Sequence, residues 1–298
     1  MKNAYRVGNG RSTKTWVGMC GVLVGSVMTV PACSDDGEGG SPAGSCPTER
    51  FATEGDADCD TGRGGPMRRI PVSGGGTMCI DKTEVTVGQY QQFLDAEDKP
   101  SLPASDPAAA RCAKKTTHAA SCFKEPCQGV ACDMPQPCVD QCDAKVFCEW
   151  AGKRLCGAIG SDPLGIDRAN LLDPAKNQWR NACSPHGSGW PYGADYDGQA
   201  CNSSDRKPQA CGGPAVAASF ASCQSSDPLY DQVFDLSGNL FEWVDASQEG
   251  ETWPDLRCII MGGSYVHYWG DVDCGDWSTL DWPCDAHHEE FGFRCCSK

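Results

Sequence analysis

Twenty-two cysteines lie in a chain of 298 residues. At that density sulfur constrains the fold before any periodicity does. Cysteines so numerous are either cross-linked in an oxidising compartment or gathered round metal, because a reducing cytosol keeps thiols free. Apolar residues make up 40% of the chain, enough for a packed core. The length suits one large domain or two small ones. The formal charge is −15, from 40 acidic and 25 basic residues. That balance excludes a nucleic-acid backbone as partner, since phosphate binding needs clustered Lys and Arg.

The N-terminus carries an export signal. Lys2, Arg6, Arg11 and Lys14 form a basic region free of acids, and Trp16 to Val30 is apolar. The run falls short of the roughly 20 residues of a spanning helix and suits a signal peptide. It ends in Val30-Pro31-Ala32-Cys33, which resembles a bacterial lipobox. The resemblance implies cleavage before Cys33, lipidation of its thiol, and a membrane anchor in the cell envelope, periplasmic or at the cell surface. Residues 1–32 are then a lipoprotein signal peptide. Setting aside Cys20 and Cys33 leaves an even number of cysteines, as complete pairing requires. Residues 33–66 are rich in Gly, Ser and Asp and poor in apolar residues. Such composition reads as a flexible tether, with Cys46 and Cys59 placed to close a small loop.

From 67 to 298 the pattern is globular. Met78 to Val85 alternates as a strand. Thr86 is a helix N-cap, followed by Val87, Tyr90, Phe93 and Leu94 at helical spacing. Asp98 to Asp106 is a loop. A second helix spans about Asp140 to Ala151, with Cys142, Val146 and Trp150 on one face and Gly152 as its stop. Short apolar runs separated by turn residues follow. The expectation is an irregular, disulfide-rich α+β domain with little regular secondary structure. Between Cys112 and Cys156 the cysteines (112, 122, 127, 132, 138, 142, 148 and 156) admit a metal reading. In an exported chain they read better as disulfides.

Several segments fall in the order of a known family. They are Asp81 to Thr86 with Tyr90 and Phe93, and Trp150 to Leu155. Gln178 to Cys183, Trp190 to Gly193 and Ala200 to Asn202 follow. Val233 to Trp243, Met261 to Tyr265, and Gly292 to Arg294 complete the set. Together they resemble the formylglycine-generating enzymes, or sulfatase-modifying factors. The resemblance implies a single irregular domain related to C-type lectins over 67–298. It also implies a structural calcium held by Asp235, the main chain of Gly238 and Leu240, and Glu242, which are hard oxygen ligands of the right kind. A weaker calcium site would start at Asn202 and Ser203.

The family oxidises a protein cysteine with copper held by two thiolates, soft ligands suited to Cu(I). Here His267 and Val272 stand where those cysteines belong, and Cys274 comes two residues late. Copper is therefore not expected. An oxidase would have to rebuild its site from His267 and Cys274. The other histidines are His118, His186, His287 and His288, and the last two, adjacent on an extended chain, point apart. Glu289-Glu290 reads as solvated surface. No G-x-S-x-G elbow, H-E-x-x-H helix or P-loop occurs. What remains is a stretch rich in Trp and Tyr: Trp253, Tyr265, Tyr268, Trp269, Trp277 and Trp282. Aromatic faces beside acids suit peptides, glycans or cationic ligands. The expected role is a non-catalytic binding domain, with Tyr265, His267, Tyr268, Trp269 and Trp277 as contact residues.

Overall fold

The computed structural model describes residues 49–122, 129–160, 170–206, 212–247, 256–275 and 280–298. Residues from Ser41 to Lys298 form one compact unit. Strands β1 (Met67–Pro71) and β2 (Thr77–Asp81) form a hairpin. Its turn contains Gly75 and Gly76 at φ of 100° and 83°, a region open to glycine at no steric cost. Helix α1 (Val87–Asp95) begins at Thr86, whose side chain accepts from the Gln89 N–H while Gln89 reaches back to the Thr86 N–H. This reciprocal cap satisfies two otherwise orphaned donors. Helix α2 (Ala109–Cys112) is a single turn. Helix α3 (Gln141–Trp150) repeats the reciprocal cap with Asp140 and Asp143. It stops at Gly152, whose φ of 72° a side chain would resist.

Strand β3 (Arg154–Leu155) and helix α4 (Gln178–Cys183) follow, with Asn177 capping the latter. The remaining strands are β4 (Phe241–Ser247), β5 (Arg257–Met261), β6 (Leu280–Pro283), β7 (Phe291–Phe293) and β8 (Cys295–Cys296). One sheet has the order β1-β2-β8-β3 and the other β6-β5-β4-β7. In the second, β4 runs parallel to β7, pairing Phe241 with Phe291 and Trp243 with Phe293. Tyr90, Phe93, Phe147, Trp150 and Phe293 close over one another, the Phe147 and Phe293 ring centroids 5.3 Å apart at a near right angle. Edge-to-face packing of this kind suits aromatic quadrupoles. Both helices expected from the sequence are present. The expected strand at Met78 to Val85 ends at Asp81.

Disulfides hold what the short elements cannot. Eight pairs are defined: 59–79, 112–142, 122–138, 148–295, 156–296, 183–274, 201–223 and 258–284. Every cysteine among the described residues is a half-cystine. This fits an oxidising, extracytoplasmic compartment. Among the described residues no helix is long and apolar enough to cross a membrane. Two details of the tether reading change. Cys59 bonds Cys79 in β2 rather than Cys46, which lies outside the described residues along with Cys33. Ala52 is buried, and the Phe51 N–H donates to the Ala218 carbonyl at 3.1 Å. The stretch from Phe51 onward therefore packs on the domain despite its polar composition, because a cross-link replaces apolar burial.

Candidate functional site

The segment after β5 turns sharply at Gly262 and Gly263, with φ of 97° and 73°. A Cβ at Gly263 would stand 2.2 Å from the Asp271 carbonyl, so only glycine lets the two strands of this loop approach. The turn delivers Ser264 to a buried position at the base of the loop. The Ser264 hydroxyl lies 2.8 Å from His267 Nδ1 and donates to Glu290 Oε2 at 2.5 Å. A hydroxyl has one proton to give, so its bond to the carboxylate makes it an acceptor from His267 Nδ1–H. In the neutral ring this leaves Nε2 as the lone-pair nitrogen. His288 Nδ1 accepts from the Glu290 N–H at 3.3 Å. The His267 ring packs edge-on against Phe241, centroids 4.8 Å apart, and its carbonyl accepts from the Ser204 N–H.

Aromatic side chains surround this base. Tyr268 and Trp269 are 57% and 60% exposed, and Val266 is also exposed. Trp269 sits at φ of 35°, a conformation that a bulky residue adopts only under constraint. Its N–H donates towards the Tyr196 hydroxyl at 3.2 Å, and that hydroxyl donates to Asp205 at 2.8 Å. Trp190 packs on Tyr196 at 5.3 Å. Trp282 packs on Phe291 at 5.1 Å, with His288 beside them. Tyr265 is half-buried, and its hydroxyl pKa is raised by burial and by Glu289 and Glu290. Trp253 and Trp277 lie outside the described residues.

The residues of a family copper site do not fit such a metal here. Cys274 is buried and bonded to Cys183, so it offers no thiolate in this oxidised state. Val272 is buried and carries no ligand atom. Glu290 is the residue that reading from the sequence missed. Instead of lying solvated, it is bonded to Ser264. The signal available was its position just before the Gly292-Phe293-Arg294 segment.

The candidate calcium segment is more evenly balanced. Glu242 accepts from Arg294 Nε at 2.7 Å, from a second Arg294 nitrogen at 2.6 Å and from Trp179 Nε1 at 2.9 Å, all fully buried. Both its oxygens are thus engaged by side chains on other elements. Asp235, at φ of 61°, accepts from the Ala218 N–H at 2.6 Å. Asn202 donates to Asn239 Oδ1, and its carbonyl accepts the Asn239 N–H at 2.8 Å. A Cβ at Gly238 would stand 2.3 Å from that same carbonyl. Ser203 is buried in the same turn. Glu84 is buried nearby, with Oε1 accepting from Asn239 and Oε2 unpartnered. Burial pushes Asp235 up to about 7 and Glu84 well above its usual range. Three buried carboxyls facing one guanidinium leave negative charge for protons or a cation to neutralise. Asp235 and neighbouring carbonyls fit a hard cation in this respect. Glu242 is already committed to Arg294.

The family described as the sulfatase-modifying factor enzyme 1-like domain matches residues 41–298. No curated protein matches the chain. Among solved structures, CarF is similar at 18% identity, covering 74% of this chain and 86% of its own, with a TM-score of 0.46. PvdO from Pseudomonas aeruginosa is similar at 15% identity, covering 74% and 80%, with a TM-score of 0.47. Treponema denticola variable protein 1 is similar at 12% identity, covering 74% and 84%, with a TM-score of 0.42. With the family model matching most of the chain, the chain belongs to the sulfatase-modifying factor (formylglycine-generating enzyme-like) family.

Proposed function

We propose that this protein is an exported, lipid-anchored member of the family that has left oxidation chemistry for binding. The observation that carries the reading is the Ser264–His267–Glu290 chain beneath exposed Tyr268 and Trp269, in a domain whose described cysteines are all cross-linked. A thiolate pair is what the family's copper chemistry needs. Here the same turn offers instead an imidazole nitrogen, a carboxylate and flat apolar rings. That mixture suits an extracytoplasmic peptide or glycan, whose faces stack on the rings while polar groups meet His267 and Glu290. The anchor is Cys33, with membrane attachment through its lipid. A structural calcium at Asp235 and the carbonyls of Gly238 and Leu240 belongs to the same proposal, with Asn202 and Ser203 as a weaker second site.

The test is an array of peptides and glycans probed with the purified mature protein. Binding is expected, and Trp269→Ala and His267→Ala are each expected to weaken it by at least about tenfold, the loss of one well-packed contact. Binding unaffected by either variant would overturn the site. Oxidation of a cysteine-containing peptide by the protein, abolished by His267→Ala, would replace this reading with a metal-dependent oxidase.

A further inference from the structure

A second cluster of chemistry-bearing side chains lies away from Ser264, at the start of α3. Asp140 and Asp143 are buried there, and His287 reaches them from the loop after β6. One ligand atom from each lies within 4.8 Å of the others. His287 Nε2 is 3.4 Å from Asp143 Oδ2 and 3.8 Å from Asp140 Oδ2. Its Nδ1 lies 3.0 Å from the Asp285 carbonyl, which can only accept, so Nδ1 carries a proton. The other ring nitrogen, Nε2, faces both carboxylates, where a proton on it bridges to Asp143. A metal ion at this point takes the place of that proton and meets one donor atom from each residue.

The surroundings hold this geometry firmly. His118 Nδ1 bonds Asp143 Oδ1 at 2.9 Å, and the His118 carbonyl accepts from the Tyr90 hydroxyl at 2.7 Å. The disulfides 112–142 and 122–138 pin both ends of the segment carrying Lys115 and His118 to residues flanking Asp140. Disulfide 258–284 anchors the chain just before His287, and the Gln141 N–H donates to the Cys284 carbonyl at 3.2 Å. Lys115 supplies positive charge now. Its Nζ lies 2.5 Å from Asp140 Oδ2 and 2.9 Å from Asp143 Oδ1. It reaches in from a cleft of about 140 Å³ that it lines with His118 and Leu102.

We propose that Asp140, Asp143 and His287 form a binding site for a divalent transition-metal ion, with Lys115 as the counter-ion that the metal displaces. Two carboxylates and one imidazole are donors suited to zinc-class ions, and the remaining positions stay open to water or a ligand. The Nδ1–H bond to a backbone carbonyl and the His118 bond to Asp143 are the supporting contacts that orient such ligands. The long Lys115 side chain can swing into the cleft when the ion enters.

The experiment is calorimetric titration of the EDTA-treated, fully oxidised mature protein with Zn²⁺ alone near neutral pH. Zinc is expected to bind at this site. Lys115→Ala is expected to tighten it by at least about tenfold, because the competing charge is gone. His287→Ala is expected to abolish it, and His118→Ala to weaken it by roughly 10–100-fold, the usual cost of losing an orienting contact. A His267→Ala/His288→Ala double variant is expected to keep it, which separates this site from the one at Ser264. Near-UV circular dichroism checks that each variant is folded. Absence of zinc from both the wild type and Lys115→Ala would overturn the proposal. So would binding that His287→Ala leaves unchanged.

Discussion

At the scale of single residues, the most consequential contact joins Glu242 to Arg294 and Trp179. From the sequence, the family resemblance implies that Glu242 is an oxygen ligand of a calcium ion. In the folded chain a guanidinium from the last segment supplies the positive charge at 2.6 and 2.7 Å. A planar fork matches a carboxylate in two bonds, which a point charge does not. Arg294→Ala leaves a buried, unpaired carboxylate and is expected to cost about 3–5 kcal/mol. Arg294→Lys should recover only part of this. Chemical denaturation of both variants measures it. An Arg294→Ala protein as stable as wild type would show that the pair contributes nothing. No pattern along the chain could have revealed this contact, because the partners are far apart in sequence and the choice of cation depends on which element arrives at the carboxylate.

At the scale of elements, the two helices were legible because their signals are local. A reciprocal cap needs only residues three apart, and both Thr86 with Gln89 and Asp140 with Asp143 provide it. Of the strands only β2 was, and it was drawn four residues too long. Several hold two or three paired residues, too few to show alternation. Their ends are joined by buried ion pairs instead. Asp81, at the end of β2, accepts at 2.6 Å from Lys153, the residue leading into β3, and at 2.9 Å from the Cys295 N–H in β8. One side chain thus ties three of the four strands in that sheet. Its burial raises the Asp81 pKa, which outweighs Lys153. The folded chain therefore holds this proton more tightly than the unfolded one. The associated stability is complete below the ordinary aspartate range, about pH 4, and is lost as pH rises through the folded value. Asp81→Asn cannot titrate. Wild-type stability is expected to decline relative to Asp81→Asn as the pH rises from about 4, measured by thermal unfolding at each pH. A constant difference across that range would refute the sign.

At the scale of the whole molecule, cross-links do the work that long elements do elsewhere. Adjacent Cys295 and Cys296 reach back to Cys148 in α3 and Cys156 after β3, across separations of 147 and 140 residues. These are long loops, whose closure removes the most freedom from the unfolded chain. Replacing Cys156 and Cys296 together by Ser is expected to cost about 2–5 kcal/mol, read as a lowered Tm. Full reduction is expected to unfold the domain. A reduced protein with an unchanged Tm would mean that the core stands without them.

The composition and order of residues by themselves determined the compartment class, the sulfur economy, both main helices and the family. Each of these depends on residue type or on spacing within a few positions. Tertiary structure decided the rest. It chose which cysteines pair, gave Glu242 to Arg294, bonded Glu290 to Ser264, and turned His287 towards Asp140 and Asp143. Those outcomes depend on where distant loops meet, and in a fold with so little regular structure that meeting point is set by cross-links and buried charge rather than by periodicity.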